Sequence, residues 1–359
     1  MTILIFIIIL LVLVMVHELG HFAIAKLTGC KVDEFAFGFP PTIWKRKWGE
    51  TEYKFNAIPI GGYVKIWGED GNDGTDKRAF NNRPKLAQLA VLFAGVAMNW
   101  ILAFIIFFVI AKSNATVIAN DPLYAGRVID AKLIVIDVGN KSPAQRSGIK
   151  AGYELIEVKA NNEIANLKSA DSLKEFFTKH IDQDINIKWK NKNDRGESVV
   201  TGVYGIIEKK KAIGISFESI GNVKLGFVES LTYAANNVWL YTKMTVIGLG
   251  DLASGIVKAD KEVLNNVSGP VGIAKIVGDQ AREGSMTNVF ALAAILSINL
   301  AVFNLLPFPA LDGGRIIMVV YEAIRRKKIK NNVAAIINGI GFLCLILLII
   351  IVTINDIFK

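Results

Sequence analysis

Apolar residues in this chain gather in blocks. Ile3–Val16, Leu86–Ala111, Val289–Leu306 and Val333–Thr353 carry no charged residue. Each is long enough to form most of a membrane-crossing helix of about 20 residues. Between the second and third blocks the texture changes. From Leu123 to Glu218, charged, polar and apolar residues mix as they do in a water-exposed domain. The pattern predicts a polytopic α-helical membrane protein: four transmembrane helices with one soluble α+β domain inserted in the middle.

Two shorter patterns refine this. Val223–Gly255 holds Phe227, Trp239, Leu240, Tyr241, Val246, Ile247 and Leu249, but also Lys243, Asp251 and glycines at 248, 250 and 255. A charge in mid-span is costly, so an amphipathic helix in the membrane interface is expected rather than a fifth span. Thr51-Glu52-Tyr53-Lys54-Phe55 alternates as a strand does. Gly61-Gly62 reads as a turn before Tyr63-Val64-Lys65-Ile66. These residues predict a membrane-associated β-hairpin over Thr51–Ile66.

Charge adds the orientation. The net charge is +9 over 359 residues, which on its own would admit nucleic acid as a partner. The basic residues, however, crowd beside the apolar blocks: eleven Lys and Arg from Lys26 to Lys85, and six from Arg315 to Lys330. That is the positive-inside pattern, so the expected partner is the lipid bilayer and not nucleic acid. It places Lys45 and Arg326 in the cytoplasm. Both termini and the soluble domain, Lys192 included, then lie outside, which is the periplasm in a bacterium with two membranes. Ala23-Ile24-Ala25 has the look of a signal-peptide cleavage site, but no basic residue precedes the first apolar run, so an uncleaved first span is expected. Cys30 and Cys344 are far apart in sequence and imply no disulfide framework.

The candidate chemistry sits at the end of the first block. His17-Glu18-Leu19-Gly20-His21 is an H-E-x-x-H motif. On a helix, residues i and i+4 share a face, so both imidazoles can meet one Zn²⁺, with Glu18 beside them as a base. A helix cap in water is the plainer reading, but ionisable groups this close to hydrocarbon need a function. His180 lies in the soluble domain and is expected at its surface. A catalytic zinc usually has three protein ligands. The best third candidate is Asp312, in Asn304-Leu305-Leu306-Pro307-Phe308-Pro309-Ala310-Leu311-Asp312-Gly313-Gly314. There the prolines forbid regular helix, and broken backbone at membrane depth is tolerated where it lines a polar cavity.

H-E-x-x-H on the first span with a distant N-x-x-P-x-P-x-L-D-G resembles the site-2 protease family of intramembrane zinc metalloproteases, over essentially the whole chain. Ser142–Ile156 resembles the helix–turn–strand stretch of a PDZ domain, and Asn161-Asn162-Glu163-Ile164 the turn that follows it. A PDZ-like domain between spans two and three is similar to the bacterial RseP type, here with a single PDZ domain. The resemblance implies one Zn²⁺ per chain held by His17, His21 and Asp312, with Glu18 as catalytic base. It implies substrate contacts at Asn304, Asn99, Tyr63 and Val64, the hairpin holding substrate as an added strand. Gly95-Val96-Ala97-Met98-Asn99 departs from the family's G-P-x-x-N by lacking the proline.

The implied organisation is a catalytic half over 1–111, a PDZ-like domain over 123–218, an interfacial linker over 219–285 and a second catalytic half over 286–359. The implied reaction is peptide hydrolysis in or near the spans of single-span membrane proteins, such as anti-sigma factors trimmed beforehand by an upstream site-1-type protease, or remnant signal peptides. It would occur in the bacterial inner membrane, with the active site towards the cytoplasm. Two alternatives stay open: an idle scaffold presenting a PDZ-like domain, which the complete motif disfavours, and a metal transporter, which would want polar residues at many depths.

Overall fold

The computed structural model describes residues 2–69, 75–124, 126–191, 194–207, 210–258, 269–282 and 286–358. Lys192 and parts of the 219–285 linker (259–268 and 283–285) lie outside these. The chain divides into two compact units, Met1–Ile110 with Leu231–Lys359, and Ala111–Ser230.

The first unit opens with helix α1 (Thr2–Leu27). Its apolar run satisfies every backbone group internally, as lipid requires, and Ile3, Leu4, Ile8 and Val12 stay exposed on its surface. Strands β1 (Val32–Trp48) and β2 (Thr51–Ile66) follow. Here the expected hairpin is corrected. The turn is at Gly49-Glu50, and Gly61-Gly62 lies inside β2. Gly62 is there for close approach: a Cβ would sit 2.7 Å from the Ala36 carbonyl oxygen and 2.7 Å from Met15 Sδ on α1. Phe35 lies opposite both Tyr53 and Val64, so the arm at residues 34–37 is flanked by two arms of β2. Glu50 in the turn bonds Lys26 Nζ (2.7 Å) and Arg78 (2.6 Å), tying the sheet to the end of α1. Helix α2 (Lys85–Asn114) crosses α1 closely at Gly20, where a Cβ would meet the Ala94 carbonyl carbon at 2.7 Å.

In the second unit come β3 (Ala115–Ile118), β4 (Ile129–Val138), helix α3 (Pro143–Arg146), β5 (Glu154–Ala160), β6 (Glu163–Ile164), α4 (Ala170–Lys179), β7 (Ile185–Lys190), β8 (Arg195–Val200), β9 (Val203–Ile207), β10 (Lys210–Ala212) and β11 (Ile215–Val223). The main sheet runs β3-β11-β4-β5-β7-β8, with β6 on β5. Alternate residues of these strands, with Leu173 and Phe177 of α4, form one apolar core. Ser142 and Ser169 cap α3 and α4 with their side chains, meeting the orphan amides of a helix start. Asn161 and Asn162 take left-handed backbone between β5 and β6, a conformation asparagine tolerates. His180 is not at the surface as expected. It is 6% exposed, packed on Phe176, with Nδ1 2.7 Å from Gln183 Oε1. It terminates α4, and Gln183 and, 17 residues away, Glu163 satisfy its two ring nitrogens.

Returning to the first unit, α5 (Phe227–Lys258) is one continuous helix. Its Tyr241 ring stacks on Phe107 of α2 at 5.6 Å, and Thr245 Oγ1 bonds Asn299 Oδ1 at 2.7 Å. This helix packs along α2 and the helix that carries Asn299, and it is not among the helices long and apolar enough to cross a membrane. Helix α6 (Pro270–Arg282) packs against α1, α7 (Met286–Asn304) and α9 (Asn331–Phe358), and α8 (Asp312–Arg325) lies between the last two in sequence. Among the described residues, four helices are long and apolar enough to cross a membrane: Ile3–Leu27, Lys85–Ser113, Met286–Asn304 and Asn332–Ile354.

Candidate active site

His17 and His21 stand one turn apart on α1, 7% and 6% exposed. Gly95 of α2 makes room for them: a Cβ there would sit 2.8 Å from His17 Cε1 and 2.7 Å from His21 Cε1. Asp312 arrives from the far end of the chain. The Pro307 and Pro309 loop cannot be helix, and α8 begins at Asp312, where the positive end of a helix favours a carboxylate. Gly313 and Gly314 let that loop fold over the helix start. A Cβ at Gly314 would lie 2.7 Å from the Phe308 carbonyl carbon.

The three ligand atoms converge. His17 Nε2 is 3.1 Å from Asp312 Oδ2, His21 Nε2 is 3.2 Å from it, and the two Nε2 atoms are 3.1 Å apart. His21 Nδ1 donates to the Val91 carbonyl at 2.8 Å, so in the neutral ring Nε2 holds a lone pair and no proton. Buried Asp312 Oδ2 has no hydrogen-bond partner. Two electron pairs thus face one another, joined by a third when His17 Nε2 is likewise unprotonated, which is repulsive unless a cation lies among them. Tetrahedral zinc, with bonds of about 2.0–2.2 Å to N and O, spaces its ligand atoms roughly 3.3 Å apart. The set fits zinc.

Glu18 is half-buried beside the imidazoles, and its Oε2 accepts the Val64 N–H at 2.9 Å. Glu18, Tyr63, Val64, Asn304, Asp312 and Arg315 line a cavity of about 490 Å³. Arg315, one turn beyond Asp312, pairs with Glu69 in the same cavity. Asn304 Nδ2 is 3.4 Å from His17 Nε2. Asn99 is not among the cavity-lining residues: it is fully buried, and its amide contacts His17 Nδ1 at 3.3 Å. Two backbone groups of the site have no side-chain signature in the sequence: the Val64 amide on Glu18 and the Val91 carbonyl on His21. Gly95 was legible as a motif glycine, but not as the gap for two imidazoles.

Residues 5–348 match the family described as peptidase family M50. A protein of Clostridium acetobutylicum named "putative zinc metalloprotease" is 35% identical over 96% of this chain and 94% of its own length. One of Fusobacterium nucleatum is 34% identical over 100% and 99%. The regulator of sigma-W protease RasP of Bacillus subtilis is 28% identical over 99% and 98%.

Proposed function

This chain belongs to peptidase family M50, the zinc metalloproteases of site-2 type, and we propose that it cleaves single-span membrane proteins within or beside their transmembrane segments. The observation that carries this is the buried convergence of His17, His21 and Asp312, with Glu18 alongside, in a unit whose helices suit a bilayer. His17, His21 and Asp312 are the proposed ligands. Zinc, when bound, makes water a nucleophile near neutral pH and draws charge from the scissile carbonyl. Glu18 takes the proton of the attacking water and returns it to the departing amine. With Oε2 held by Val64, Oε1 is the oxygen that takes it. Asn304 and Tyr63 orient the substrate from the cavity wall.

A helical substrate hides its peptide bonds in its own hydrogen bonds, and unwinding in an apolar setting leaves groups that each cost several kcal/mol. The β2 arm around Val64 stands beside Glu18 and can restore those bonds by strand pairing. In the PDZ-like unit, β11 and α4 flank a cavity of about 720 Å³ lined by Phe177, Ile181, Ile213 and Phe217, which suits capture of an extended apolar segment. The name of the Bacillus relative ties that protein to a sigma factor. For this chain we propose pre-trimmed anti-sigma factors and remnant signal peptides as substrates, and a site-1-type protease acting first. The active site faces the cytoplasm in this reading, because the basic loops flank it.

The test is co-expression with tagged single-span proteins, comparing wild type with Glu18→Gln. The variant keeps zinc and loses cleavage. Cleavage by Glu18→Gln at the wild-type rate would remove Glu18 from the reaction, and wild-type protein free of zinc would remove the metal site.

A further inference from the structure

Asn99 is fully buried on α2, and its backbone carbonyl accepts the Ser297 hydroxyl of α7 at 2.8 Å. Its side chain faces His17 Nδ1, with Nδ2 at 3.3 Å, while Oδ1 is buried without a partner. The other ring nitrogen, His17 Nε2, is the one that converges on Asp312 and His21. A neutral imidazole carries one proton. If Nε2 offers its electron pair, Nδ1 holds the proton and needs an acceptor. An amide NH₂ facing that N–H sets donor against donor. A half-turn about the Cβ–Cγ bond brings Oδ1 to Nδ1 within the same volume, because carboxamide oxygen and nitrogen are nearly alike in size. One amide atom lacks a protein partner in either orientation, so the ring decides between them.

We infer that Asn99 is a positioning residue whose Oδ1 accepts the His17 Nδ1 proton and so holds His17 in the tautomer that presents Nε2 to zinc. His21 is held in the same way by the Val91 carbonyl. Val91, Gly95 and Asn99 are spaced by four and lie along one stripe of α2: an acceptor for one ligand, a gap for both rings, and an acceptor for the other. Outer partners of this kind orient zinc-bound histidines, and losing one typically lowers metal affinity 10–100-fold.

The inference rests on the reading of His17 as a zinc ligand, and the test keeps the two apart. Zinc affinity of the full-length protein in detergent is measured by competition with a chelator for wild type, Asn99→Leu, Asn99→Asp and His17→Ala. Asn99→Leu, similar in size but without an acceptor, is expected to bind zinc about 10–100-fold more weakly. Asn99→Asp, which restores an acceptor, binds at least as tightly as wild type. The visible bands of the Co²⁺-substituted protein shift in the Leu variant and are retained in the Asp variant. Wild-type affinity in Asn99→Leu, or an Asp variant as weak as the Leu variant, would overturn the assignment. If Asn99→Leu does not fold, Asn99→Asp still decides, because a contact made through the amide nitrogen would not survive that change. Unchanged affinity in His17→Ala would instead sink the zinc reading itself.

Discussion

Replacing Gly95 with alanine puts a methyl group where the two imidazole edges already are. Its Cβ would stand 2.7 Å from His21 Cε1 and closer still to the ligand atom His21 Nε2, and ordinary contact begins at 3.4 Å, so more than about 0.7 Å of movement is required. Neither ring yields easily. His21 is held by the Val91 carbonyl of α2 itself, so moving α2 away drags Nδ1 with it, and both rings are buried. The strain has to appear as separation of three ligand atoms that lie within 3.2 Å of one another. Overpacking of this size costs about 1–3 kcal/mol, which is roughly 5–150-fold in an equilibrium constant at 1.4 kcal/mol per tenfold. We expect Gly95→Ala to bind zinc at least tenfold more weakly, with a lowered unfolding temperature in the zinc-loaded protein. Chelator competition and thermal unfolding measure the two. Gly248→Ala is the control. Nothing lies within 4 Å of a Cβ there, and alanine in a helix is favoured over glycine by about 0.5–1 kcal/mol, so zinc binding is unchanged and stability holds or rises. A Gly95→Ala protein with wild-type zinc affinity and unfolding temperature would refute the reasoning.

Gly62→Ala should force the β2 arm away from β1 and α1, destabilising the protein by about 1–3 kcal/mol and slowing cleavage of a tagged single-span substrate, while zinc content holds. Proline placed at positions 62–65 should slow cleavage without removing zinc, most of all at Val64, whose N–H also anchors Glu18. Cleavage at the wild-type rate by every folded proline variant would reduce the sheet to scaffolding. Thr245→Val should cost about 0.6–1.7 kcal/mol by leaving Asn299 without its bond from α5, seen as a lower unfolding temperature that Thr245→Ser restores. In the second unit, the Arg127 guanidinium, and then the Gly226 N–H, hold the Glu229 carboxyl down at about 2, below its ordinary 4.5. The folded pKa is the lower one, so the stabilisation is present above about pH 4.5 and lost as pH falls towards 2. Amide exchange at Gly226 should rise over that window, and Arg127→Ala should move the rise to higher pH, since only the Gly226 N–H then holds the carboxyl down.

What could be read from the sequence was whatever rests on local period and composition. Four apolar blocks mark four helices because the bilayer demands about 20 apolar residues and internal backbone bonding. His17 and His21 are legible because helical spacing alone puts them on one face, and Asp312 because prolines and glycines announce broken backbone around a lone acid. The hairpin turn was misplaced because glycine pairs read locally as turns. Gly62 serves a close approach to Ala36 and Met15 that only the packed strands and helix create. His180 looks exposed in sequence because its partner Glu163, 17 residues away, meets it only in the folded unit. Asn99 marks the same boundary. Its presence four residues after Gly95 is a sequence fact, but its turn inward to His17 is fixed by the α1–α2 crossing. That crossing is set by contacts between residues some 80 positions apart, which no local pattern encodes.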